Sequence, residues 1–290
     1  MKRNQYVAYL MVLPSYLIYF LFVLIPIILI IYFGFTNYDF YKSLDFVGIK
    51  NYSRLLRDDI FVRSIGNTLI YSVFTITLQL SIGLVMAELL NRKVIGQRIH
   101  RIAFYLPNIV SMVAVSMVWL WIYDPILGFL NNAVQLIGLT PQKWLFDVRL
   151  ALPSIIVMSV WKFIGYNMII YLAGMQSIPG TLYEAAEIDG ASGIHKFFKI
   201  TIPMLRPITF FLFIIACIRS FNVFEQVNVM TDGGPMGATT TIVHQIYERA
   251  FATFEMGYAC SMAVIVLVVT MTFTVLNLKY GNQGTDTSIS

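Results

Sequence analysis

Lys162, Arg219 and Glu225 are the side chains that most need explaining. Each lies in or at the end of a long apolar run, "WKFIGYNMII" for the lysine and "IRSFNVFEQ" for the other two. An ionisable group at bilayer depth costs at least about 2.5–3.5 kcal/mol on the most lenient insertion scale, so it faces a watery cavity or a partner. Around the three cluster Trp161, Tyr166, Asn167, Ser220, Asn222 and Asn228. Amides and hydroxyls beside aromatic faces suit a ligand with many hydroxyls on an apolar C–H frame, which is how a sugar is built. The competing explanation is a Lys162–Glu225 ion pair that fixes helix packing while Arg219 snorkels outward. The two can hold together. Gln79 and Glu88 are weaker candidates, and Glu88 stands near the end of its run.

Other chemistries find no support. The chain has no G-x-x-x-x-G-K-[ST] loop to cradle phosphate, so it is not expected to hydrolyse ATP itself. H-E-x-x-H, C-x-x-C and G-x-S-x-G are also missing. His100, His195 and His244 fall in separate loops, and Cys217 and Cys260 sit in apolar runs, which argues against a metal site or a disulfide framework. "TDGGPMG" follows no strand pattern and reads as a turn closed by glycines and a proline. No catalytic residue and no metal ligand is expected.

The elements that must hold the charged cluster are membrane helices. Of 290 residues, 58% are hydrophobic and 12% charged, about half the charged share of a soluble domain. Charge-poor windows predict an all-α integral membrane protein with transmembrane helices at about 9–33, 65–88, 102–122, 153–176, 207–229 and 257–279. Hydrocarbon forces helix on runs of this length, because each must satisfy its own backbone. The first run far exceeds the roughly 7–15 apolar residues of a signal peptide and is read as a span. Lys and Arg are denser in the shorter loops on the N-terminal side of the membrane, and the opposite loops mix theirs with Asp39, Asp45, Asp58 and Asp59. Both termini are therefore expected in the cytoplasm. "NNAVQLIGLTPQKWLFD" and "TTTIVHQIYERAFATFE" show apolar spacing of three and four, consistent with short interfacial helices or plain loops. A net charge of +5 without a basic run offers nothing to a nucleic acid.

One polar island, "YEAAEIDGASGIHKFFKITIP" at 183–203, interrupts this pattern. Pro179 and Gly180 end the fourth run, and Thr181 followed by Glu184 reads as a capping box opening a short helix. Gly190 stops that helix, Ser192 caps a second, and Pro203 and Pro207 stop the second. Ala185 and Ala186 leave one side without bulk, so another backbone can approach closely, and Glu184, Glu187 and Asp189 ring that patch with acceptors. A docking element needs these features. An interfacial helix that merely reconnects two spans is the plainer reading.

Glu-Ala-Ala, three residues, Gly190, nine residues and then Ile200-x-Ile202-Pro203 resembles the EAA loop of ABC importer permeases, with Ile202 where the family pattern has Leu. The surrounding "LYEAAEIDGAS" and "FFKITIPMLRP" resemble the carbohydrate-uptake, maltose-type branch. So do "FVGIKNY", "YLPNIVS", "VWKFIGYNMIIYLAGMQSIP" and "VMTDGGPMGATTTIVHQIYERAF", so the likeness covers nearly the whole chain. It implies a type I importer permease in a bacterial or archaeal cytoplasmic membrane, non-catalytic and binding no cofactor. A separate ATPase dimer would use ATP and Mg. The loop 181–203 would be the coupling loop, with Glu184, Ala185, Ala186, Asp189 and Gly190 meeting the ATPase. Trp161, Lys162, Tyr166, Asn167, Arg219, Ser220, Asn222 and Glu225 would line the substrate pathway, and Arg219 departs from the small residue expected there. The implied partners are a second permease chain, with a heterodimer favoured, and an external binding protein. The implied cargo is a sugar, an oligosaccharide being favoured, or else glycerol phosphate or a similar polar metabolite.

Overall fold

The computed structural model describes residues 2–39, 44–92 and 95–281, and all secondary structure among them is helical apart from one antiparallel bridge between Thr36 and Phe46. The described residues up to 62 with 245–269, and those of 63–244 with 270–281, form two compact units.

In the first unit, α1 (Tyr9–Gly34) is long and apolar enough to cross a bilayer. A π turn, Phe20–Leu24, precedes Pro26, widening the backbone where the ring would clash with the carbonyl four residues back. α2 (Lys50–Leu55) packs close to the end of α1, where a Cβ on Gly34 would come within 2.8 Å of the Tyr52 hydroxyl. Asn51 donates to the carbonyls of Gly34 and Thr36 at 3.0 and 2.8 Å and fixes the turn between them. Of the acids interleaved with basic residues in this segment, Asp58 joins a network with Glu255. Arg54 grips Glu255 with both terminal nitrogens at 2.9 and 3.1 Å, and Arg249 reaches Glu255 at 3.1 Å and Asp58 at 3.4 Å. Burial would raise the Asp58 carboxyl, but the Tyr258 hydroxyl, the Phe61 and Ile60 N–H groups and Arg249 outweigh it and hold the group below the usual carboxylate range.

The second unit holds α3 (Asp59–Asn91, whose first residues belong to the first unit), α4 (Gln97–Ile109), α5 (Met112–Ile122), α6 (Phe129–Leu136) and α7 (Ala151–Gln176). It continues through α8 (Gly180–Ile188), α9 (Gly193–Met204), α10 (Arg206–Phe221) and α11 (Glu225–Met230). α12 (Ile242–Tyr247) and α13 (Met256–Gly281) complete the chain. α7 is its central pillar: 61% of its apolar window is buried inside the protein against 33% for α3. Ile155, Met158 and Val160 of α7 pack with Tyr71, Val115, Val223 and Val227 in one cluster. Met168, Tyr171 and Met175 pack with Ala87, Leu205 and Leu212 in another.

Three sequence expectations are corrected. The run at 102–122 is not one helix, because α4 and α5 meet at 101° across Val110 and Ser111. The Ser111 hydroxyl accepts from the Ala114 N–H at 3.2 Å and starts a new helix there. The run at 207–229 breaks after Phe221, and α11 restarts at Glu225. Thr181 is not a cap either: Pro179 occupies that place and α8 begins at Gly180 without a side-chain cap. The two stretches read as interfacial helices or loops do contain helix, α6 in one and α12 with a π turn, Glu248–Ala252, in the other.

Candidate substrate cavity and coupling loop

Both helix breaks open onto one cavity of about 560 Å³ in the second unit. Tyr71, Thr75 and Gln79 of α3 form one wall, and Asn108 and Val110 come from the α4–α5 bend. Lys162 and Phe163 of α7 face them, and Arg219, Ser220 and residues 222–226 complete the lining. Non-helical backbone at membrane depth is tolerated where it lines a water-filled space, and the placement of the two breaks follows that rule.

Of the residues singled out in the sequence, Lys162, Arg219, Ser220, Asn222 and Glu225 line this cavity, whereas Trp161, Tyr166 and Asn167 do not. Trp161 meets Trp119 edge-on, ring centres 5.5 Å apart. Tyr166 lies beneath the Arg219 guanidinium, 4.5 Å from its ring centre. Asn167 is buried, donates to the Phe163 carbonyl at 3.2 Å, and sits where α3 comes closest at Gly83. Tyr71, Thr75, Asn108 and Gln226 are additional lining residues, and Gln79 takes a place stronger than its sequence rank. Gln226 donates to the Tyr71 hydroxyl at 2.8 Å. A helix-period count along 71, 75 and 79 would have put all three on one face of α3.

The Lys162–Glu225 ion pair is not present among the described residues. Lys162 instead donates to the carbonyls of Pro107 and Val110 at 2.9 and 2.5 Å, which α4 leaves unpaired at its broken end. Arg219 is exposed and holds its guanidinium over Tyr166 and Phe163. Lys162→Met should destabilise the protein in detergent by about 1–3 kcal/mol for each carbonyl left unsatisfied. A thermal melt equal to that of wild type would show that the ammonium does not hold the bend.

The polar island at 183–203 lies in a pair of helices, α8 and α9, tied together by side-chain contacts. α8 ends at Gly190, which takes φ +74°, and the Gly190 and Ala191 N–H groups bond back to Glu187 and Ala186 at 3.0 and 2.8 Å. This is a Schellman closure, which needs the left-handed residue that glycine supplies at no steric cost. Ser192 then accepts from the His195 N–H at 3.3 Å and starts α9. Lys196 reaches Glu187 at 2.5 Å, and the Tyr183 and Thr201 hydroxyls meet at 3.0 Å, tying the helices together. A second π turn, Phe197–Thr201, precedes Pro203, as the first precedes Pro26. Glu184, Ala185, Asp189 and Gly190 are exposed and Ala186 half-buried, so the polar and small side of α8 has no partner within the described chain.

Residues 79–280 match the family described as binding-protein-dependent transport system inner membrane component. A probable ABC transporter permease protein of Bacillus subtilis, YurN, is 33% identical over 288 residues, covering 98% of each chain. The sn-glycerol-3-phosphate transport system permease protein UgpA of Yersinia pestis is 31% identical over 280 residues, covering 95% of this chain and 94% of its own. The fold also matches a bacterial alginate ABC transporter crystallised with an alginate pentasaccharide-bound periplasmic protein, with TM-score 0.86, 24% identity and coverage of 99% and 98%. Helix breaks around a cavity lined by Lys162, Arg219 and Glu225, an exposed helix pair α8–α9 and full-length similarity agree. The chain belongs to the binding-protein-dependent transport system inner membrane component family and is an ABC importer permease of the type I fold.

Proposed function

We propose that this chain is the permease subunit that passes a sugar, an oligosaccharide above all, from an external binding protein into the cell, driven by a separate ATPase pair. The observation that carries the reading is α8, a short helix closed by Gly190, tied to α9 through Glu187 and Lys196, and exposed along its Glu184–Ala185 side. A rigid rod with an open face transmits displacement. When the ATPase pair closes, the rod moves with it and rocks the helices on either side of the cavity. The chain itself binds neither ATP nor Mg.

Six spans with both termini in the cytoplasm fit this arrangement. They would be α1, α3, the α4–α5 pair, α7, α10 with α11, and α13. A second, distinct permease chain supplies the other half of the pore. A phosphate-bearing metabolite such as glycerol phosphate is the second reading, supported by the UgpA relative.

Gentle purification in detergent tests the whole reading. An ATPase subunit should accompany the chain, and a cysteine introduced by Glu187→Cys should be labelled only from the cytoplasmic side of intact cells. A chain that purifies alone, or a label that reaches position 187 from outside, removes the permease mechanism.

A further inference from the structure

We propose that the substrate carries an anionic group, a carboxylate or a phosphate, and that Arg219 is the residue that reads it. The inference rests on the permease reading and adds a substrate class to it. Arg219 lines the cavity with its guanidinium 4.5 Å from the Tyr166 ring centre and 5.0 Å from that of Phe163. Contact with the two rings spends none of its hydrogen-bond donors on a partner acceptor. Among the described residues no carboxylate pairs with it and no acceptor takes those donors. A guanidinium held this way presents the paired, coplanar donors that match a carboxylate or a phosphate.

The charge balance of the cavity points the same way. Its ionisable lining is Lys162, Arg219 and Glu225, two cations against one carboxylate. Glu225 forms no ion pair with either cation among the described residues, and its charge acts on Lys162 through the field rather than through a contact with Arg219. The Lys162 ammonium is already engaged with the Pro107 and Val110 carbonyls and acts through its field alone. A cation that finds no partner within its own chain at membrane depth is costly unless the second permease chain or something that passes through answers it. A neutral sugar could take a hydrogen bond from Arg219, but it would leave that charge unanswered. Of the amides around it, Gln79 and Asn108 carry no side-chain hydrogen bond among the described residues and are open to hydroxyls on the same molecule, whereas Asn222 and Gln226 already donate to the Ile218 carbonyl and the Tyr71 hydroxyl.

The test uses the complete transporter with its own binding protein in cells, and three labelled probes: trigalacturonate, glycerol 3-phosphate and the neutral maltotriose. Wild type should take up one of the two anions in preference to maltotriose, and which one is taken distinguishes a uronate from a phosphate. Arg219→Gln should lower uptake of that anion by about 10- to 100-fold, the range for losing a charge-assisted hydrogen bond. Arg219→Lys should recover part of it, and both variants should reach the membrane at wild-type level. A preference for maltotriose, an anion preference unchanged in Arg219→Gln, or uptake of neither anion overturns the proposal. ATP-dependent maltotriose uptake would do so while leaving the permease reading intact, and an ATPase that fails to co-purify would strike that reading instead.

Discussion

Gly190→Pro abolishes uptake by the assembled transporter while the ATPase subunits continue to hydrolyse ATP: this is the expected result with the largest effect. Gly190 sits at φ +74°, and its N–H closes the end of α8 onto the Glu187 carbonyl at 3.0 Å. Proline fixes φ near −65° and has no N–H, so it removes both features at once. The Ala191 bond to Ala186 goes with them, and Glu187 is no longer held opposite Lys196. Uptake should fall by at least about 10-fold, the factor for 1.4 kcal/mol, because the lost closure exceeds that value. Gly190→Ala keeps the N–H and pays only the left-handed penalty, about 1–2 kcal/mol, so it should fall between the two. Glu184→Lys tests the same surface without touching the fold, since Glu184 is exposed; the charge reversal should weaken docking in a salt-dependent way. Uptake and hydrolysis measured side by side decide the matter, and normal uptake by Gly190→Pro or Glu184→Lys defeats the assignment of α8.

Gly165→Ala should cost nearly as much through a different route. A Cβ at Gly165 would stand 1.8 Å from the Phe104 carbonyl oxygen and 2.4 Å from its carbon, inside any real contact distance. The obstacle is the backbone of α4, which cannot rotate away as a side chain can. Overpacking costs about 1–3 kcal/mol where neighbours can shift, and this site belongs at or above the top of that range. Gly174→Ala makes the contrast, because its Cβ would meet the terminal carbon of Ile208 at 2.1 Å, a flexible end that can turn aside. Melting temperatures in detergent should fall strongly for Gly165→Ala and modestly for Gly174→Ala. Equal melting of Gly165→Ala and wild type would mean that α4 and α7 do not cross at that point.

Part of this architecture is legible in the residues and part is not, for identifiable reasons. The α8–α9 pair shows in the sequence because Pro179, Gly190 and Ser192 are strong local punctuation that the backbone obeys. Pro203 does not stop α9, which absorbs it behind a π turn and runs on to Met204. The start of α8 was misread by one feature only: Thr181 and Glu184 have the capping spacing, but Pro179 and Gly180 bring the chain into helix earlier. The breaks at 110–111 and 222–224 were hidden because hydropathy is blind to them. "LPNIVSMVA" and "FNVFEQ" remain apolar enough to read as continuous spans. Ser111 was the available signal, a cap residue three places before Ala114 in a run already weakened by Pro107. Lys162, Arg219 and Glu225 do line one cavity, but not in the pairing that the sequence suggests. Lys162 and Glu225 attract in a sequence-level sketch, whereas the bend supplies carbonyls that no sketch with straight helices contains.

α1 has a different kind of consequence. Only 6% of its apolar window is covered by the rest of the chain, and its hydrophobic residues are spread all the way round. Among the described residues every position from Tyr9 to Leu24 is exposed, and only Ile25, Ile27, Ile30, Phe33 and Gly34 near its end are partly or wholly covered. Swaps among Leu, Ile, Val and Phe between Tyr9 and Leu24 are then constrained by oil solubility alone. A position where such a swap is felt marks a neighbour from beyond this chain, which makes α1 a built-in ruler for mapping the protein's surroundings in the membrane.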